Sequence, residues 1–188
     1  MDLVSRVKNI IVDPANEWRV IDAEPDAPAD ILKNYVAILA AIPAVCGFIG
    51  ASIIGIGPYR TGIAAGLVSA IAGYVLTLIG VYLIALIIDI LADKFGGRKN
   101  FNAAFKVAAY APTAAWVASV FTAIPVLSIL SVLGLYSFYL IYLGLPALMK
   151  APQDKALGYV LAVIVCVIIL WMLILFIPGM LIGVRMAM

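Results

Sequence analysis

FNAAFKVAAYAPTAAWVASVFTAIPVLSILSVLGLYSFYLIYLGLPALMKAPQDKALGY (Phe101–Tyr159) is the stretch whose reading decides the fold. Two long apolar runs meet at Ala123-Ile124-Pro125, and a short loop with Lys150, Asp154 and Lys155 follows them. Each run reaches the ~20 residues that an α-helix needs to cross a hydrocarbon core of ~30 Å at ~1.5 Å per residue. A soluble core has no room for apolar runs of this length placed end to end. Lipid is the solvent for this part of the chain.

Working outward, the same pattern recurs. Of 188 residues, 66% are hydrophobic, and mean hydropathy is +1.18, well above the roughly half-apolar composition of soluble domains. Seven of the ten acids fall in the first thirty residues, which leaves Asp89, Asp93 and Asp154 for the rest. Spans are expected at about 35–56, 64–91, 103–122, 126–149 and 156–183. The chain therefore reads as an all-α, polytopic transmembrane bundle of five helices, residues 33–188. A cytoplasmic amphipathic segment and linker, residues 1–32, precede it.

In that N-terminal segment Leu3, Val4, Val7, Ile10 and Ile11 share one helical face, with Arg6 and Lys8 opposite. Asp13-Pro14 breaks this helix, and Asn16–Ile21 suggests a second short one. Trp18 beside basic residues suits the headgroup region, so an interfacial helix is expected. A cytosolic cap on the bundle is the alternative. Glu24–Asp30 is a Pro/Asp-rich linker. The opening residues lack the basic-then-apolar pattern of a secretory signal.

Charge sets the expected orientation. Ten of the twelve basic residues lie on the side of the N-terminus, and only Arg60 and Arg185 lie on the other. By the positive-inside rule the N-terminus is cytoplasmic and the C-terminus lies outside, in a bacterial inner membrane. A net charge of +2 excludes a polybasic field for nucleic acid. The chain has no histidine, and no phosphate loop, nucleophile elbow or metal motif is visible. Neither an enzyme nor a cofactor or metal site is expected. Cys46 and Cys166 read as small polarizable residues within their spans.

Three constellations remain. Asp89 and Asp93, spaced four apart, face Lys106 across a loop, either as a structural ion pair or as a proton- or cation-handling site. With Tyr110, Tyr136 and Tyr139 they form a candidate polar seam, with Tyr136 placed near Tyr110 and the carbonyl of Ala108 that Pro112 frees. Trp18, Arg98, Lys99, Lys150 and Lys155 are candidate contacts to anionic headgroups. Gly66, Ala70, Gly73, Thr77 and Gly80 alternate steps of four and three, a small-residue face for helix packing.

KVAAYAPTAAWVASVF (Lys106–Phe121), Ile124-Pro125, GLYSFYLIYLGLPALMKAPQDKALGY (Gly134–Tyr159) and PANEWRVI (Pro14–Ile21) together resemble the bacterial branch of the Yip1 family. Tyr110, Pro112, Tyr136, Tyr139, Gly144, Pro146, Lys150, Lys155 and Tyr159 stand at positions that recur in that family. The resemblance implies five spans and a cytoplasmic N-terminus, and brings no catalytic residue. The expected function is a non-enzymatic scaffold or organiser, partnered by membrane lipids and by its own copies or other membrane proteins. A small transporter or channel past Asp89, Lys106, Tyr110 and Tyr136 is the alternative, and an anionic-lipid-binding protein the second.

Overall fold

A computed structural model describes residues 2–55 and 60–186, with side chains included except at 153, 171 and 173–186. The turn expected at Gly57-Pro58-Tyr59 and the side chain of Arg185 lie outside the described residues. Among the described residues all regular structure is helical.

Two short helices come first. α1 (Leu3–Val12) is capped by Asp2, whose carboxylate accepts the Ser5 N–H at 3.3 Å. Asp13 ends it, and Pro14, which has no N–H to waste, occupies the first turn of α2 (Pro14–Ala23). The two make a hairpin. α3 (Pro28–Ile54) also starts on a proline and carries Pro43 inside it. Its ladder widens to π turns at Leu32–Val36 and Ile49–Ile54, and Gly55, at φ 69°, ends it.

α4 (Ile63–Phe95) returns through the bundle and stops at Gly96, in the left-handed region at φ 70°. α5 (Phe101–Ala123) is capped by Asn100 and interrupted at Ala111-Pro112. Beyond Pro112 a helix must begin again, and its first N–H groups lack partners. One of them, from Ala115, donates to Ser137 Oγ on α6 at 3.0 Å.

α6 (Pro125–Met149) has two geometries: a 3₁₀ stretch over Pro125–Leu135, then α-helix from Tyr136. A 3₁₀ run of 11 residues is unusually long. α7 (Gln153–Met186) closes the chain. α3 to α6 are each long and apolar enough to cross a membrane.

The core is not spread evenly along the bundle. α5 is the central helix: from Ala103 to Ala111 every residue is buried. Around it pack Val81, Ile84 and Ile88 of α4 and Leu140, Leu145 and Met149 of α6, and Tyr159 and Val163 of α7 are buried against α4 and α6. These positions gather at one end of the bundle, called here the hairpin end because α1 and α2 dock there. At the opposite, open end, Leu67 and Ile71 of α4 and Val126, Ile129 and Val132 of α6 are exposed. For helices that cross a bilayer, exposed apolar side chains are the surface that lipid covers.

The hairpin is part of the core. α2 lies along the second half of α6, and Trp18 is buried against Gly144, where a Cβ would stand 2.5 Å from the indole. Only glycine admits the ring at this distance. Gly144→Ala is therefore expected to cost about 1–3 kcal/mol by overpacking. It should lower the melting temperature in detergent, while Gly73→Ala, where an added Cβ meets nothing within 4 Å, should not.

Candidate functional site

Where the hairpin meets the bundle, two cations are buried. Arg6 of α1 is 4% exposed and Lys106 of α5 is 5% exposed. A charge taken out of water must be paired or fully hydrogen-bonded. Arg6 Nη1 donates to Glu17 Oε1 at 2.6 Å, and Nη2 donates to Glu24 Oε2. The guanidinium also lies over the Tyr110 ring, 5.4 Å from its centroid, in cation–π range. Burial works against the Arg6 charge, but the hydrogen bond and charge of Glu24, with Glu17 behind it, outweigh burial and move its pKa up.

Lys106 meets a different set of acceptors. Its Nζ donates to the carbonyl of Ile21, at 2.8 Å, and to that of Glu24. These belong to the C-terminal turn of α2, where the last carbonyls lack helical partners and the helix dipole is negative. Lys106 is thus the C-terminal cap of a helix far away in sequence. Two further contacts hold the hairpin: Tyr136 Oη donates to the Ile11 carbonyl at 3.0 Å, and Lys150 pairs with Asp22 at 2.6 Å. Beneath Arg6, Tyr110 packs on Tyr35 with ring centroids 4.6 Å apart, and the Tyr35 hydroxyl shares a hydrogen bond of 2.7 Å with Thr113.

This geometry corrects several expectations. Lys106 does not pair with Asp89: the α2 carbonyls take its protons, and Asp89 Oδ1 is buried without a hydrogen-bond partner. Asp93 turns outward to Lys99, at 2.9 Å, with both side chains largely exposed. Tyr136 bonds to the hairpin, and the Tyr110 carbonyl is taken by Thr113 Oγ1 at 2.6 Å. Tyr139 is half exposed, with its ring 5.3 Å from that of Tyr136. The six residues of the expected seam do not converge.

Trp18, expected at the headgroups, is a core residue because Gly144 leaves a slot for its ring. Arg6, expected on the polar face of α1, is buried because α2 and the linker bring it two acids.

Arg98, Lys99, Lys150 and Lys155 are all exposed and do share the hairpin end. The Arg98 N–H donates to the Met149 carbonyl at 2.8 Å, which ties the α4–α5 loop to the end of α6. Lys99 and Lys150 are engaged by Asp93 and Asp22, whereas Arg98 and Lys155 have no ion pair among the described residues. On the small-residue face, Gly66, Thr77 and Gly80 are buried, and a Cβ at Gly66 would strike Ser52 Oγ at 1.9 Å. Ala70 is half-buried and Gly73 exposed, facing a hollow instead of a helix.

Glu17 and Glu24 are hidden from a reading of the sequence because their partner lies on a different helix. A family comparison covers this region: a model described as Yip1 domain matches residues 8–174. The chain belongs to the Yip1 family. The Yip1 match begins inside α1, after Arg6, and takes in α2 with Glu17 and Trp18 along with most of the bundle. Neither the curated proteins nor the solved structures contain a match to this chain.

Removing Arg6 isolates a buried carboxylate. Arg6→Met is expected to cost about 3–5 kcal/mol, since it leaves Glu17 buried and unpaired. Adding Glu17→Gln to Arg6→Met should recover part of that loss. Melting temperature and the rate of protease cleavage in the Glu24–Asp30 linker measure both effects.

Proposed function

We propose that this Yip1 protein is a non-enzymatic organiser of a bacterial inner membrane, a scaffold for lipids and for partner proteins or its own copies. In this reading α7, a helix of 34 residues, is the fifth span. The N-terminus and the hairpin end then face the cytoplasm, and the C-terminus faces the other side. The surplus of basic residues at the hairpin end supports that orientation.

One observation carries the scaffold reading over the transporter. The two buried cations of the packed half are consumed by structure: Arg6 by Glu17 and Glu24, and Lys106 by carbonyls of α2. A conducting path needs polar groups that can exchange partners, and here they close the bundle instead. A second reading, recognition of anionic headgroups, draws on the grouping of Arg98, Lys99, Lys150 and Lys155. The two are compatible.

Purified protein in sealed liposomes is expected to carry no proton or cation flux above protein-free vesicles. Asp89→Asn should fold and stay silent, because Asp89 Oδ1 has no protein partner to lose. Flux through the wild type that Asp89→Asn abolishes would replace the scaffold with the transporter.

A further inference from the structure

The open half of the bundle holds a half-open groove of about 1170 Å³, with the exposed Ile129, Val132 and Met172 among its lining, just above the ~300–1,000 Å³ typical of small-molecule sites. It lies between α3, α4, α5, α6 and α7. The reason for the hollow is visible in the packing. The 3₁₀ half of α6 leans on the second half of α5 and the end of α3, and makes no comparable contact with α4 or α7 among the described residues. Small residues then line the gap where large ones would fill it: Gly47 on α3, and Ala70 and Gly73 on α4.

The walls have a polarity gradient. Towards the packed core the lining is mainly aliphatic, with Ile84, Ile88, Val107 and Val163, and the hydroxyls of Thr77 and Ser137 are engaged by backbone groups. Towards the open end it carries hydroxyls, from Ser52, Thr61 and Ser128. No charged side chain lines it among the described residues. Ser52 is 6% exposed, yet its Oγ has no hydrogen-bond partner. That hydroxyl is closed off against Gly66, whereas Thr61 is exposed at the open end and its hydroxyl has no hydrogen-bond partner among the described residues.

We infer that this groove binds a membrane glycerolipid, with an acyl chain lying along the aliphatic floor and the ester region at the open end, beside the exposed Thr61. An apolar groove that opens to the bilayer takes in an apolar chain, which supplies the contacts its walls lack. Its floor offers water none of the several polar partners that hold buried water in place. The surrounding solvent supplies acyl chains. An amphiphile whose tail is longer than its polar end matches the gradient from Ile88 to Thr61, and an ester carbonyl accepts the Thr61 hydroxyl proton. The inference deepens the scaffold reading by naming what it holds, and it requires only that the helices span a bilayer.

The test uses the full-length protein in vesicles of phosphatidylethanolamine and phosphatidylglycerol that contain a phospholipid with a photoactivatable diazirine in its acyl chain. Cross-linked peptides are mapped by mass spectrometry, and a parallel arm uses a diazirine fatty acid. Saturable labelling of wall positions such as Ala70, Thr77 and Ser131, competed by unlabelled phospholipid, is expected. Gly47→Leu and Gly73→Phe direct bulk into the groove from positions where an added Cβ meets nothing within 4 Å. Both should abolish wall labelling without lowering the melting temperature. Thr61→Val should weaken it about fivefold, the value of one hydrogen bond.

Labelling confined to lipid-facing Leu67 and Ile71, or unchanged in the filled variants, overturns the proposal. So does wall labelling by the fatty acid alone, or cross-links between two copies through these walls. None of these outcomes bears on ion flux, so failure here is separable from failure of the scaffold reading.

Discussion

The ammonium of Lys106 is the constraint to which the other contacts of the hairpin end answer. It sits on the most deeply buried helix, within a turn of Tyr110, where a bare cation would cost several kcal/mol. The helix that carries it cannot satisfy it, because helical carbonyls are already engaged. The chain solves this by bringing back its own N-terminus, so that the unpaired carbonyls at the end of α2 meet the cation. Once α2 is held there, Trp18 must be accommodated, which demands Gly144, and Arg6 must find its acids, which Glu17 and Glu24 supply. One polar requirement thereby organises an apolar interface.

The two ends of the bundle are consequently different materials. At one end, alanines on α5 let α4, α6 and the hairpin approach closely. At the other, the interruption at Pro112 and the change of geometry in α6 separate the helices again. Ala115 marks the seam: its N–H, released from the helical ladder by the proline, is recovered by Ser137, just where α6 passes from 3₁₀ to α. The break therefore costs little and still alters the packing on either side of it.

Much of this architecture is written in the pattern of residues along the chain. Spans are legible because apolar runs bounded by Pro and Gly need no partner to be recognised, and four of the expected spans match α3 to α6 to within a few residues at most ends. The larger departure is at the start of α3, where Pro28 begins the helix well before the apolar run. Which polar groups meet is not legible. Asp89 and Lys106 look like partners because they flank one loop, but proximity in sequence does not give the direction in which a side chain leaves its helix. Trp18 looks interfacial because its neighbours are charged, and only the slot at Gly144 reveals that the ring points inward. Arg6 falls on a polar face by periodicity, and periodicity does not know that a second helix brings two carboxylates. The small-residue face of α4 is legible as a surface of close approach, yet half of it faces space, because the helix that would have filled it leans away.

The overwound segment of α6 has a consequence for how that space is decorated. At ~3.0 residues per turn, positions three apart are eclipsed, whereas in an α-helix each such step turns by ~60°. Ser128, Ser131 and Gly134 are three apart within it, and all three border the hollow. The tighter winding thus holds a single file of small positions upright along one meridian of the helix. Relaxed to ordinary helical pitch, the same residues would spiral about a third of the way round the axis, and bulky neighbours such as Leu127 and Leu130 would rotate towards the place where the file now stands.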